Sequence, residues 1–346
     1  MPRMKKYLFA ALLTGVLAAA LALRLLPPRP RAPVTKTIAA MGTFVTFEAA
    51  AGKDGFETAV EAAAEEVRRL EKLLSRFDPE SDVSRINAAP AGEKVDVDTA
   101  TVAVLEKAAE ISRRTGGAFR ITVAPLVKLW KDAADAGAVP AAEVIENTLE
   151  KVSWRAISLD RSGKTVVKSV QGLEIDLGGI AKGFIAGAAA RILAEGGVTS
   201  GFVNAGGDGV FIGARPDGRP WRLGIADPRA PSEIIETLLV VDRAVVTSGN
   251  YARYYTIGGR RYSHIIDPRT GRPAEGPASV TVVAADGAAA DAWATALSVL
   301  GEEGGAPAGA AGVEFLMYFA EDDEMRSIES AGFGRFREGD GHGAGR

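Results

Sequence analysis

The 346-residue chain has no cysteine. That removes disulfides, thiolate metal sites and a Cys nucleophile at once. It also removes the N-terminal Cys on which a bacterial lipoprotein anchor is built. Histidine is scarce: His264 lies in the body and His342 in a Gly-rich tail. Residues 1–33 lack any acidic side chain but hold Arg3, Lys5, Lys6, Arg24, Arg29 and Arg31. The formal net charge of −3 therefore divides into +6 on this segment and −9 on the remainder. An acidic body lacks the basic footprint of a nucleic-acid binder, so no nucleic-acid partner is expected. There is no internal repeat, no G-x-G-x-x-G and no P-loop.

What is present is ordinary for a folded protein: 47% hydrophobic and 25% charged residues. The length suits one or two domains. Forty glycines point to many tight turns. Lys5 and Lys6 precede an uncharged, mostly apolar run from Tyr7 to Leu23. At 1.5 Å per residue this run spans about 26 Å, slightly less than a hydrocarbon core of about 30 Å. Ala20-Leu21-Ala22 offers small residues for cleavage. Residues 1–26 thus read as a signal peptide or an N-terminal membrane anchor, and 27–36 as a stiff Pro-rich tether. The body is expected over 37–336, exported and held near a membrane, with a disordered tail over 337–346.

Within the body, 38–47 reads as a strand. Phe56, Val60, Ala63, Val67, Leu70 and Leu74 recur at helical spacing, so a helix is expected over 54–74, with Asp54 as its cap. A second helix is expected over 98–115, and two more over 179–194 and 288–300. Short β-rich runs fill the rest after Val152: 173–177, 201–203, 221–226, 237–241, 244–247, 262–266, 279–284 and 313–319. Residues 301–312 read as a Gly/Ala loop. Many short strands with helices set apart predict an α+β fold, mainly antiparallel sheets with flanking helices.

Four stretches could carry chemistry. In Asp176-Leu-Gly-Gly-Ile-Ala-Lys-Gly183 a turn with two glycines opens a helix with Lys182 in its first turn. Free N–H groups at a helix start attract anions, and Lys182 adds charge for a phosphate. Asn204-Ala-Gly-Gly-Asp208 reads, on chemistry alone, as a structural turn. Thr247-Ser-Gly-Asn-Tyr251 is followed by His264 and the turn Asp267-Pro-Arg-Thr-Gly271. Asp291 and Thr295 stand four apart on one helix face, where a carboxylate and a hydroxyl suit a hard cation such as Mg²⁺. Together these suggest a phosphate-bearing ligand, Mg²⁺ and no thiol chemistry.

The set and its order resemble the ApbE family of FAD:protein FMN transferases from about Thr37 to Phe336. Met41-Gly-Thr, Leu74-Ser-Arg-Phe, Ser81 to Asn87 and the Gly117–Trp130 stretch carry the likeness. So do Asp176–Gly183, Gly206-Gly-Asp208, Thr247-Ser-Gly249, His264–Gly271 and Asp291–Thr295. The resemblance implies a T-fold-like ApbE architecture and an extracytoplasmic enzyme that binds Mg²⁺ and FAD. It implies cleavage of the FAD pyrophosphate, release of AMP, and attachment of FMN to a Thr or Ser of an acceptor protein such as a membrane redox complex subunit. By motif, Asp291, Thr295 and the backbone of Gly179, with Ala181 as the alternative, would hold the metal. Asp176 and Lys182 would contact FAD, and Met41, Ala118, Phe119 and Ile266 would line flavin or adenine. His264 would sit beside the phosphate and take the acceptor hydroxyl's proton. Two positions depart from the family pattern. Arg120 stands where Asp is usual, turning an acceptor contact into a donor. Phe77 stands where Tyr is typical, keeping a ring that can stack on flavin but losing its hydroxyl. An FAD pyrophosphatase needs the same sites, and a non-catalytic flavin-binding protein is a third reading.

Overall fold

The computed structural model describes residues 32–50, 55–249, 254–321 and 324–339. The signal or anchor segment, Asp54, Asn250, Tyr251 and the tail from residue 340 lie outside these. Among the described residues no helix is long and apolar enough to cross a membrane.

One antiparallel sheet of eight strands organises the chain, and its spatial order is its chain order. The strands are β1 (Val34–Ala40), β2 (Thr43–Ala49), β3 (Gly201–Ala205), β4 (Asp208–Ile212), β5 (Ala244–Gly249), β6 (Ser279–Ala284), β7 (Glu314–Glu321) and β8 (Glu324–Glu329). Between β2 and β3 run the helices α1 (Phe56–Leu74), α2 (Asp82–Ala88), α3 (Thr99–Arg114), α4 (Ala124–Ala136), α5 (Ala142–Leu149) and α6 (Ala181–Glu195). The connection from β6 to β7 holds α7 (Gly287–Leu300) and the short α8 (Gly305–Ala310). The architecture is α+β, as the pattern of elements predicts.

Alternation along the strands sorts two cores. Val280 and Val282 of β6, with Phe315 and Met317 of β7, lie on the side of α7, in one core with the inner faces of α1 and α6. Val283, Leu316 and Tyr318 face the other way, against a hairpin of Trp221–Asp227 and Ala230–Val240 and against Phe333 and Phe336. Covered on both faces, β6 is buried at every position. The six apolar positions read as the face of α1 are all buried.

Several local expectations change. The run 38–47 is two strands, because Met41 (φ 55°) and Gly42 (φ 69°) turn the chain as a tight hairpin. The tether ends sooner than residue 36: Val34, Thr35 and Lys36 belong to β1, and Lys36 pairs with Glu61 of α1. Gly55, not a side-chain cap, precedes α1. Residues 301–312 are helical turns rather than open loop. Past Phe336 the chain stays bound at Arg337, which bridges to Leu238 and pairs with Glu236 and Glu329.

The stretch Leu173–Leu177 alternates like a strand but joins no ladder. The Asn87 side chain stands in for a neighbouring strand: its amide donates to the Ile175 carbonyl at 2.9 Å, and its carbonyl accepts from the Ile175 N–H at 2.7 Å. The buried Lys168 ammonium donates to Asn87 and Leu173 carbonyls at 2.6 and 3.0 Å. The Asp176 N–H donates to Ile121. Side chains thus satisfy the backbone ahead of the Gly178-Gly179 turn and fix where that turn lies.

A third core, built on Leu126, Trp130, Ile145, Ile257 and Ile266, holds the segment around His264 against α4 and α5. The Trp130 indole N–H donates to the Gly271 carbonyl at 2.8 Å, and its ring lies 5.5 Å from that of Tyr262. Trp130→Phe strands this buried carbonyl and is expected to cost about 2 kcal/mol. Urea unfolding of the variant measures that loss.

Candidate active site

The centre of the site is the start of α6. Ile180 precedes this helix and has no side chain to cap it. Asp291, from α7, supplies the cap instead: its Oδ2 accepts the Gly183 N–H at 2.9 Å. The close approach depends on two glycines. A Cβ on Gly183 would lie 2.0 Å from the Gly287 carbonyl oxygen, and one on Gly287 would lie 2.3 Å from the Gly183 oxygen. Asp291 is 3% exposed. Burial and then the nearby Asp208 push its pKa up to about 7, against the pull of Lys182 and the α6 N–H groups.

One turn further along α7, Thr295 meets the Gly178-Gly179 turn. A Cβ on Gly179 would lie 2.9 Å from Thr295 Oγ1 and 3.3 Å from the Phe119 ring. Asp291, Thr295, Gly179 and Phe119, inferred as neighbours from separate motifs, are therefore neighbours in space. Among the described residues no three His, Cys, Asp or Glu side chains form a metal cage. A single carboxylate with a hydroxyl and a backbone oxygen still fits Mg²⁺, which usually completes its shell with water and substrate phosphates.

Lys182 reaches from α6 to form an ion pair with Asp208, 3% exposed at the start of β4. Asp208 Oδ1 also accepts the Thr247 N–H at 3.3 Å. Burial raises the Asp208 pKa, while Lys182 opposes the shift. Sequence reasoning left Asp208 as a structural turn. The signal available was its place in the Gly206-Gly-Asp208 motif of the family likeness; both glycines turn the chain at positive φ just ahead of it. The Met41–Gly42 hairpin lies at the same end of the sheet, with Gly206 donating its N–H to the Phe44 carbonyl.

Asp176 accepts from Arg76 Nη1 at 2.6 Å and caps the turn by accepting the Gly178 N–H at 2.8 Å. The Arg76 guanidinium stands 5.3 Å from the ring centroid of Phe77, which is 85% exposed. Tyr255, on the hairpin of Tyr254–Ile257 and Arg260–Ser263, faces Arg76 and Asp176 electrostatically. His264 follows that hairpin directly. Ala118 and Phe119 are buried, whereas Ile266 is packed into the Trp130 core. Arg120 ties the same region down: Nη1 donates to the Val152 carbonyl at 3.1 Å and to Pro268 at 3.4 Å. The guanidinium at this position thus braces the turn that follows His264.

A sheet covered by helices, with a glycine-lined turn, a helix N-terminus and one half-exposed lysine beside two buried carboxylates, defines the candidate site of an enzyme. The ApbE family profile matches residues 41–316. The chain belongs to the ApbE family. A relative named FAD:protein FMN transferase, from Vibrio cholerae, is 37% identical over 292 residues, covering 81% of this chain and 84% of its own length. One of the same name from Treponema pallidum is 36% identical over 264 residues, covering 70% of this chain and 73% of its own. The crystal structure of the ApbE protein from Thermotoga maritima superposes with a TM-score of 0.80 at 33% identity, covering 89% of this chain and all of that one. The flavin transferase ApbE of Vibrio cholerae gives 0.78 at 30%, covering 88% and 99%. This chain is an enzyme of the same transferase class.

Proposed function

We propose that this enzyme transfers FMN from FAD to a Thr or Ser hydroxyl of an acceptor protein, with Mg²⁺, and releases AMP. The observation that carries the reading is the convergence of Asp291, Thr295 and Gly179 on the start of α6, with Lys182 beside them. The relatives' common name supports the choice of flavin. Mg²⁺ held by Asp291, Thr295 and the Gly179 backbone would neutralise charge building on the pyrophosphate. Lys182 and the first N–H groups of α6 favour the same anion. Asp176, held by Arg76, offers a carboxylate to FAD hydroxyl or amide groups. Phe77 offers an open ring for stacking.

In the transfer, the acceptor oxygen bonds to the FMN phosphorus. The bond from that phosphorus to the bridging oxygen breaks, and AMP leaves with that oxygen. The hydroxyl proton passes to a ring nitrogen of His264. His264→Ala is expected to lower transfer about 10²-fold while FAD binding, followed by flavin fluorescence, survives. Full transfer by this variant would remove His264 from the reaction.

The acceptor is inferred to be a membrane redox protein, and the body to work on the outer side of the cytoplasmic membrane. The basic-then-apolar pattern of residues 5–23 supports that location. The deciding experiment mixes the protein with FAD, Mg²⁺ and a candidate acceptor domain, then measures AMP and covalent flavin. Both products are expected. AMP without covalent flavin, over several acceptors, would mean hydrolysis, and intact FAD would mean a carrier.

A further inference from the structure

We propose that Asp208 is a positioning residue that holds the Lys182 ammonium away from Asp291, leaving that carboxylate open to a divalent cation. The inference rests on the metal-dependent reading above and assigns a task to a residue outside the metal and FAD contacts. Three charged groups meet at the start of α6: the half-exposed Lys182 of α6 and the buried Asp208 of β4 and Asp291 of α7. Lys182 adjoins Gly183, whose N–H is bonded to Asp291. Two carboxylates therefore compete for one ammonium, and Asp208 is the one in ion-pair contact.

Asp208 suits this task because its own place is fixed from the sheet. It lies at the first position of β4, on the same strand face as Val210 and Ile212, which pack against the helix-side core. The Thr247 N–H of β5 binds its other oxygen. A carboxylate so anchored holds the ammonium at a set distance from α7. Without it, the half-exposed ammonium and the buried Asp291 carboxylate attract across protein rather than bulk water. Lys182 would then turn to Asp291 and occupy lone pairs that a hard cation needs. The cost of losing Asp208 is thus a competition set up by Lys182.

That origin is testable with Mn²⁺ as the probe, its binding to the full chain without FAD followed by electron paramagnetic resonance. Asp208→Asn is expected to weaken Mn²⁺ binding about tenfold or more, as removal of an outer partner of a metal ligand typically does. In a Lys182→Met background the same change is expected to alter binding less than about threefold, because no ammonium remains to compete. A direct pull of Asp208 on the cation, or a general loosening of the site, would act equally in both backgrounds, and that result overturns the proposal. Unchanged binding by Asp208→Asn overturns it as well. Asp208→Glu keeps the charge and is expected to retain binding within about threefold, and a loss as large as that of Asn speaks against it. These outcomes separate from the transfer reading. If the variants show the background dependence yet the wild type attaches no flavin to any acceptor, the reading of function alone is sunk. Wild-type protein that binds no Mn²⁺ sinks the metal role and this inference together.

Discussion

Asp291→Asn is expected to lower the proposed flavin transfer about 10³-fold or more, with a melting temperature within a few degrees of wild type. The amide retains an oxygen that can accept the Gly183 N–H, so the cap on α6 survives. What is lost is the negative charge beside Thr295 and Gly179. A metal that stabilises a phosphoryl transition state contributes several kcal/mol, and each 1.36 kcal/mol is about tenfold in rate. The carboxylate is also costly to keep. It is buried beside a second carboxylate and its pKa is pushed up to about 7. A purely structural acid would gain from replacement by a neutral amide. Undiminished transfer at saturating Mg²⁺ would refute the metal role of Asp291.

Gly183→Ala is the other large effect. The new methyl would lie 2.0 Å from the Gly287 oxygen, 2.6 Å from its carbonyl carbon and 2.8 Å from Asp291 Cβ. These first two are backbone atoms of a packed helix, so α6 and α7 must separate. Overpacking of this kind costs about 1–3 kcal/mol. For a protein of this size about 3 kcal/mol lowers the melting temperature roughly 4–5 °C. Separation also lengthens the bond from Gly183 to Asp291, so activity falls with stability. Calorimetry and the transfer assay on one sample test both, and a fully stable, fully active Gly183→Ala would show that the crossing has slack.

The helices α1, α3 and α7 were legible because each carries its signal locally. Apolar residues recur at three and four positions in α1, and Asp98 caps α3 by accepting the Ala100 N–H at 2.7 Å. The strand β6 was legible because an apolar run buried on both faces has no alternation to misread. Leu173–Leu177 misled for the converse reason: its alternation is real and its inward side chains are buried, but its backbone partners are the Asn87 and Lys168 side chains and the Ile121 carbonyl rather than a neighbouring strand. The Met41–Gly42 hairpin hid because Met at positive φ is an uncommon turn residue.

The sequence by itself determined the charge division at the Pro-rich segment, the exclusion of thiol chemistry, the α+β class and the ordered motifs that place the chain in its family. It also placed Asp291 and Thr295 on one helix face, since four-residue spacing is a local property. Tertiary structure alone decided that Asp291 caps a helix 108 residues earlier, that Asp208 joins Lys182 in the site rather than serving a turn, and that Arg120 braces the segment after His264. The physical reason is common to all three. Each contact joins elements whose approach is set by the packing of helices on a sheet, and no local spacing records which buried charges that packing brings together.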